Sequence, residues 1–474
     1  MFILFILEAI IISLSIFFAQ NKMVTFILSS IFLISLFVIT GFAYIHIEEI
    51  NSLYFKFDHL GVLLTFVLVI LSISTFYHSK LYLQRYLFTA KQEAIYYASL
   101  IMLITAMMSA YFSENIAVMW VSIEATTLFV SILIFHERTK DSLEAAWKYL
   151  FVSSFGVALA FIGILFLSIT ASSNGITDLN LHHLLLVSKL MSPIWLKMAF
   201  LFVLTGFSAK MGLFPLHTVA VDAHTVAPPP ISAFISTTLM NVGFLGIFRI
   251  FTIIAQTDVI LWAQNVLLIV GVLSIFMSAI QLFRIKHYKR MFAFSSLEHM
   301  GIVALGLGIG GLGYYAAILH IVFHSFVKAG LFYQIGQVHQ FFKSYWIKNT
   351  AGYFKLNPIG GLSIILGLIS ILAIPPSGLF ISEFLTFKAM FIQHHYYIAI
   401  FVMILLTVII FSFSKNIFHL LYFKDENEIN KNAITVNPYE TISQFILFGL
   451  VIYLGINPPL FFTDLINAAI TVLK

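Results

Sequence analysis

A chain of 474 residues that is 61% hydrophobic and only 9% charged cannot bury its apolar surface in a water-soluble fold, so its solvent is lipid. The net charge of +5 gives no reason to expect nucleic acid as a partner, and the absence of cysteine removes disulfides, thiolate metal ligands and iron–sulfur clusters from the chain itself. Redox chemistry coupled to it must sit in a partner.

Apolar runs of the roughly 20 residues needed to cross a bilayer recur along the whole length. They number about fourteen, centred near Ile11, Ile34, Val69, Leu103, Thr126, Gly156, Leu204, Met240, Gly271, Ala304, Phe323, Ser370, Val408 and Phe448. The expected fold class is an all-α polytopic membrane protein, one membrane domain over residues 1–474. The opening "MFILFILEAIIISLSIFFAQ" lacks a basic start and a small-residue cleavage site, so it reads as a retained helix. "FFTDLINAAITVLK" at the end is too short to cross and is expected at the interface or packed on the bundle. With the loops numbered alternately, one side holds fifteen Lys and Arg residues, among them Lys424 and Lys431, and the other three: Lys56, Lys189 and Lys474. The richer side is expected to face the cytoplasm, which puts both termini outside.

Along the chain, the ionisable residues inside apolar runs are the functional candidates, because a charge at the bilayer centre costs at least ~2.5–3.5 kcal/mol. Glu124 lies within "AVMWVSIEATTLFVSILIF". Lys148, in "LEAAWKYLFVSSFG", follows Glu144 by four residues near a helix start, where a structural ion pair is as good a reading as a relay. Lys210 lies deep in the seventh run, just before a break at Pro215 and another at Pro228, Pro229 and Pro230. Glu298 and His299 follow in "SSLEHMGIVALG", then His320, His324 and Lys328 in "LHIVFHSFVKAG". A second proline break, Pro375 and Pro376, precedes Glu383. Proline opens the helical ladder, and at membrane depth the freed groups must meet protein or a wet cavity. Two such breaks in one bundle point to a repeated transporter fold with a midplane site. His182, His183, His394 and His395 read as loop residues, and Lys388 and Lys415 as snorkelling span ends.

Steps of four residues advance about 40° past a full turn, so His320, His324 and Lys328 form a slowly winding stripe, about 6 Å per step and roughly 12 Å overall. Imidazoles bridged by water can pass protons, and a lysine in a dry setting can alternate between charged and neutral. The stripe is therefore expected to be part of a proton path. A histidine pair at i, i+4 could also bind zinc, but no third ligand is evident nearby in sequence, so no metal is expected. Each histidine taken singly could equally tie two helices together.

"GFSAKMGLFPLHTVAVDAHTVAPPPISAFIS" resembles the hallmark segment of the antiporter-like membrane subunits of complex I, of multisubunit cation/proton antiporters and of group 4 membrane-bound hydrogenases. "HYKRMFAFSSLEHMGIVALGLG", "HIVFHSFVKAGLF" and "PPSGLFISEFL" are similar to its next hallmarks, and the chain looks most like the hydrogenase-4 component F type. The resemblance implies about fourteen helices with two inverted five-helix repeats, roughly 95–254 and 258–421, each with a proline-broken helix. It implies proton translocation driven by redox chemistry in a peripheral arm, in a bacterial inner membrane. Glu124 and Lys210 match a charge-switching pair, His320, His324 and Lys328 a central relay that His299 could join, and Glu383 its terminal acid or base. His217, Asp222 and His224 match accessory residues of the hallmark segment. Asn241 and Val157 stand where some members carry a lysine and an acid.

By the same resemblance the chain holds no cofactor of its own, and iron–sulfur and nickel–iron centres belong to partner subunits. The chain is then a non-redox subunit of an oxidoreductase complex of the NADH-quinone oxidoreductase or hydrogenase type. The expected partners are other membrane subunits, the redox arm, the lipid bilayer, and protons or sodium. A multisubunit cation/proton antiporter, or a subunit paired with one soluble protein for inorganic-carbon uptake, would use the same residues. A passive scaffold has the least support, since it needs no stripe of titrating groups.

Overall fold

The computed structural model describes residues 1–49, 53–86, 88–423 and 437–473. Among them the chain is helical, with only isolated β-bridges such as Phe55 to Ser113. Thirteen helices among the described residues are long and apolar enough to cross a membrane. They fall on thirteen of the fourteen expected centres; the remaining one, near Ser370, is the second proline-broken helix. Lys424, Lys431 and Lys474 of the charge count lie outside the described residues.

The chain divides into two compact units. The first comprises Met1–Ile231, Thr238–Asn265 and Phe461–Lys474. Its helices are α1 (Phe2–Ala19), α2 (Lys22–Ile45), α3 (His59–Arg85), α4 (Ala90–Tyr111), α5 (Ile116–Ile134), α6 (Lys140–Ser172), the short α7 (Leu181–Val187), α8 (Pro193–Met211), α9 (Thr218–Val226) and the first half of α10 (Pro229–Phe234). α11 (Met240–Ala255) and the start of α12 (Ile260–Phe283) complete it. Side-chain caps set the starts: Asp58 accepts from Gly61 N–H at α3, Asn115 from Ala117 and Val118 at α5, and Thr89 and Thr139 form capping boxes at α4 and α6.

α8 begins on Pro193 and stops at Gly212, whose φ of 76° suits the left-handed cap. Lys210 therefore sits in the last turn, where the helix dipole favours a cation. Small residues let neighbouring backbones close on this helix. A Cβ on Gly156 of α6 would lie 2.7 Å from the Gly206 carbonyl oxygen of α8, and a Cβ on Gly243 of α11 would lie 2.8 Å from the carbonyl carbon of Lys210. The closing helix, Leu460–Thr471, packs on this unit: Phe461 meets Tyr44 edge-on, and Gln256 Nε2 donates to the Val472 carbonyl at 2.6 Å.

The second unit comprises Ser232–Thr237 and Val266–Leu460. It holds most of α12, then α13 (Tyr288–Ile309), α14 (Leu312–Phe342), the short α15 (Tyr353–Leu356), α16 (Pro358–Ile371), α17 (Gly378–Ile392), α18 (Tyr396–Tyr422) and α19 (Ile442–Ile456). Almost every residue of α13 and α14 is buried, so these helices are the core around which the others stand. The chain between α16 and α17 turns through Pro375 and Pro376. Ser377 repairs the break: its Oγ donates to the Ser370 carbonyl at 3.2 Å and accepts from Leu379 N–H at 3.2 Å, starting α17. Glu383 is thereby carried on the second turn of α17.

Candidate functional site

Two buried clusters of titratable groups emerge, one in each unit. In the first, Lys210 Nζ donates to Thr126 Oγ1 of α5 at 3.2 Å and to the Tyr149 hydroxyl of α6 at 3.1 Å, and stands 5.1 Å from the Tyr149 ring centroid. Lys210 and Glu124 form no ion pair among the described residues, although the sequence pairs them. The reason is helical phase. Thr126 is two residues beyond Glu124, so the lysine meets a different face of α5. Glu124, half-buried, turns to α6, accepting from Ser154 Oγ at 2.6 Å and from Thr127 Oγ1 at 3.3 Å. Hydroxyl groups thus stand where a direct carboxylate contact was expected.

Lys148 is exposed and paired with Glu144, the structural reading of its spacing. His217 and His224 are buried and Asp222 half-buried, all on or beside α9, after the first break. The His217 ring stacks on Phe214 with centroids 6.2 Å apart. Lys210 takes its hydrogen bonds from α5 and α6 instead. Asn241 is fully buried in α11, and at Val157 it is the backbone that is polar: its carbonyl accepts from Trp120 Nε1 at 2.8 Å.

The second cluster gathers His299 and Glu298 of α13, His320, His324 and Lys328 of α14, and Ser382 and Glu383 of α17. All but Glu383, which is half-buried, are buried. The expected stripe along α14 is not continuous by itself. His299 intervenes, its Nδ1 3.0 Å from His320 Nε2 and its ring centroid 5.3 Å from that of His324. His320 Nδ1 lies 2.9 Å from Ser382 Oγ, and Ser382 donates to the Leu379 carbonyl at 3.0 Å. Ser382 has one proton to give, so it accepts from His320 Nδ1–H, and His320 Nε2 in turn accepts from His299 Nδ1–H. These tautomers are assigned from the hydrogen-bond network. His299 Nε2 meets no hydrogen-bond geometry among the described residues and lies 3.7 Å from Glu298 Oε2. Lys328 Nζ donates to the Phe292 carbonyl at 2.8 Å.

The candidate ligand set is not the His320–His324 pair of the sequence: His324 is outside it, and two of its members come from other helices. His299, His320 and Glu383 offer ligand atoms all within 4.8 Å of one another, a set that could hold a metal ion. An ion there would have to break the His299–His320 hydrogen bond. Without one, the same atoms form a bonded series of proton donors and acceptors from His299 to Ser382, with Glu383 beside it.

Tyr149, Thr126, Ser154 and Ser382 were not singled out from sequence. They are common membrane-helix residues, and the only local signals are hydroxyl residues beside charges, in "IEATT" and "ISEF".

Residues 113–410 match the family described as NADH:quinone oxidoreductase/Mrp antiporter, TM. Over 293 residues, 61% of its length, the chain is 36% identical to a hydrogenase-4 component F homolog of Methylacidiphilum infernorum, of which this covers 62%. Over 417 residues, 82% of its length, it is 27% identical to Na(+)/H(+) antiporter subunit A1 of Staphylococcus aureus, of which this covers 51%. The chain thus spans between half and two thirds of the length of these curated relatives. Its fold is that of a chain in the membrane-bound sulfane sulfur reductase, an archaeal respiratory membrane complex, with a TM-score of 0.86, 21% identity and 100% and 97% coverage of the two chains.

Proposed function

We propose, because this chain belongs to the NADH:quinone oxidoreductase/Mrp antiporter transmembrane family, that it is the proton-translocating membrane subunit of a redox-driven complex. The observation that carries this reading is the hydrogen-bonded series from His299 through His320 to Ser382, with His324, Lys328 and Glu383 beside it, inside a membrane bundle. A passive scaffold gains nothing from burying so many ionisable groups.

In this reading each unit holds one working lysine near a carboxylate: Lys210 with Glu124, and Lys328 with Glu298. A buried ammonium depends on a nearby carboxylate for its charge. Motion that draws Glu124 toward Lys210, out of its bonds to Ser154 and Thr127, helps the lysine keep its proton; the reverse motion expels it. In the second unit a proton taken up at His299 Nε2 releases the one on Nδ1 to His320, which hands its own on toward Ser382 and Glu383. Glu383 is the exit. The groups titrate as coupled sets rather than one by one. The reading includes two inverted five-helix repeats, near 95–254 and 258–421.

The drive comes from a neighbouring subunit, and the iron–sulfur and nickel–iron centres of the complex lie in its peripheral arm. The assembly sits in a bacterial inner membrane with the Lys-rich loops in the cytoplasm. The similarity to an Na(+)/H(+) antiporter subunit favours a second reading, cation/proton exchange through the same groups.

The test is to purify the tagged chain from its native membrane in mild detergent, identify its partners, and assay proton transport in the reconstituted complex. Hydrogenase-type subunits are expected, with Lys210→Ala and Glu383→Ala each abolishing transport in an assembled complex. Unaltered transport in either variant refutes the relay, and a set of small antiporter subunits selects the second reading.

A further inference from the structure

Away from both clusters, the first unit carries a groove of about 410 Å³ between α2, α3 and α4. Its lining runs along α2 from Lys22 to Leu33 and along α3 from Ile73 to Gln84. Lys22 stands at the helix start and Leu33 at the inner end, eleven residues on, a rise of roughly 16 Å. That is about half of a ~30 Å hydrocarbon core, the depth of one leaflet. The inner walls are apolar and open to the lipid side: Phe26, Ile73 and Tyr77 are exposed.

The mouth is polar and cationic. Lys22 is 61% exposed and paired with Glu93 of α4, and Lys80 of α3 lies over the Phe26 ring, 4.4 Å from its centroid. Lys80 has no carboxylate partner among the described residues. Two lysines against one glutamate leave a single positive charge at interfacial depth. Between mouth and apolar wall, Ser29 lines the groove, is 5% exposed, and its hydroxyl has no hydrogen-bond partner among the described residues.

We propose that this groove binds one anionic glycerophospholipid of the phosphatidylglycerol class. Its single phosphate charge brings the Lys22, Lys80 and Glu93 mouth to neutrality, and one acyl chain lies along Phe26, Ile73 and Leu33. The lysine stems run along the apolar wall while their ammonium groups stay at headgroup level. A zwitterionic lipid brings no net charge, so it leaves the mouth unbalanced.

The assay is native mass spectrometry of the purified native complex, offered phosphatidylglycerol or phosphatidylcholine with the same acyl chains. The expected result is a phosphatidylglycerol adduct that survives collision energies at which phosphatidylcholine is stripped. Lys80→Gln should lower its occupancy about fivefold, the effect of about 1 kcal/mol per interfacial cation, and Lys80→Arg should preserve it. A photo-crosslinking residue at exposed Ile73 gives a second readout that no lysine substitution perturbs, with crosslinks to phospholipid expected. Equal retention of the two lipids, unchanged occupancy in Lys80→Gln, or crosslinks from position 73 to a protein subunit would each overturn the assignment.

Discussion

His299 of α13 joins two residues of α14, with Nδ1 3.0 Å from His320 Nε2 and its ring 5.3 Å from that of His324. Helical spacing alone leaves successive members of the α14 stripe about 6 Å apart, too far for direct transfer. A histidine from a second helix stands in that gap, hydrogen-bonded to His320 and with its ring beside that of His324. The hydrogen-bond order also gives the series a polarity, because Ser382 is committed to the Leu379 carbonyl and fixes the tautomer of His320.

His299→Gln tests this role. A glutamine amide can still donate to His320 Nε2, so the packing and most of the stability should survive. It cannot take up a proton on one atom and release another. Proton uptake by vesicles containing the reconstituted complex should fall at least tenfold, about 1.4 kcal/mol or more in the barrier, with little change in Tm. An unchanged rate would mean that protons bypass His299.

The Lys210 dock makes a second prediction. Tyr149→Phe keeps the ring 5.1 Å from the ammonium and removes only the oxygen that accepts at 3.1 Å. A buried charged donor deprived of an acceptor costs about 1–3 kcal/mol. The variant should melt earlier in detergent and translocate more slowly, whereas Tyr345→Phe, at a ring 5.1 Å from Lys289 Nζ, should leave translocation intact. Identical translocation in Tyr149→Phe and the unaltered chain would remove Tyr149 from the machinery.

The intramembrane charges and proline breaks were legible in sequence because they violate the rule of an apolar span. Glu124, Lys210, His320, His324, Lys328 and Glu383 stood out for that reason, and every expected span centre lies on a helix. Phase between helices was not legible. Whether Lys210 meets Glu124 or Thr126 depends on a rotation that no residue type announces. The place of His299 against α14 depends on the rotation of two consecutive helices, and that of Ser382 under His320 on a contact with a helix 62 residues on. Tyr149 and Ser154 carry no charge to betray them.

Outside the spans, His287 supplies a pH test. Its ring caps α13, with Nδ1 accepting from Arg290 N–H at 3.4 Å. Burial first, then the positive charges of Lys289 and Arg290 and the nearby His339, hold its pKa down at about 4. In the unfolded chain the ring protonates near pH 6.5. Between those values the unfolded state binds the extra proton, so this contribution to stability is complete above about pH 6.5 and is lost as pH falls toward 4. His287→Asn retains a capping oxygen and removes the titration. Its Tm should fall less steeply between pH 6.5 and 4.5 than that of the unaltered chain; equal slopes would assign the loss to other groups.

Asp58 holds two helices of the first unit at once. Its Oδ1 accepts from Arg249 Nη2 of α11 at 2.7 Å and from the Gly61 N–H that opens α3 at 3.3 Å. Arg249 also donates to the Tyr111 carbonyl at 3.3 Å and is only 8% exposed. Breaking a buried pair from one side strands the other charge, which typically costs 3–5 kcal/mol, whereas removing both charges costs far less. Asp58→Asn keeps a capping oxygen for Gly61, so its loss isolates the ion pair from the cap. The expected order of Tm is therefore unaltered chain first, then Asp58→Asn with Arg249→Met, and Asp58→Asn alone lowest, about 3 kcal/mol below the unaltered chain. The double variant should recover part of that loss because the stranded guanidinium is gone. A double variant no more stable than Asp58→Asn would mean that Arg249 acts through its packing and its bond to Tyr111 rather than through its charge.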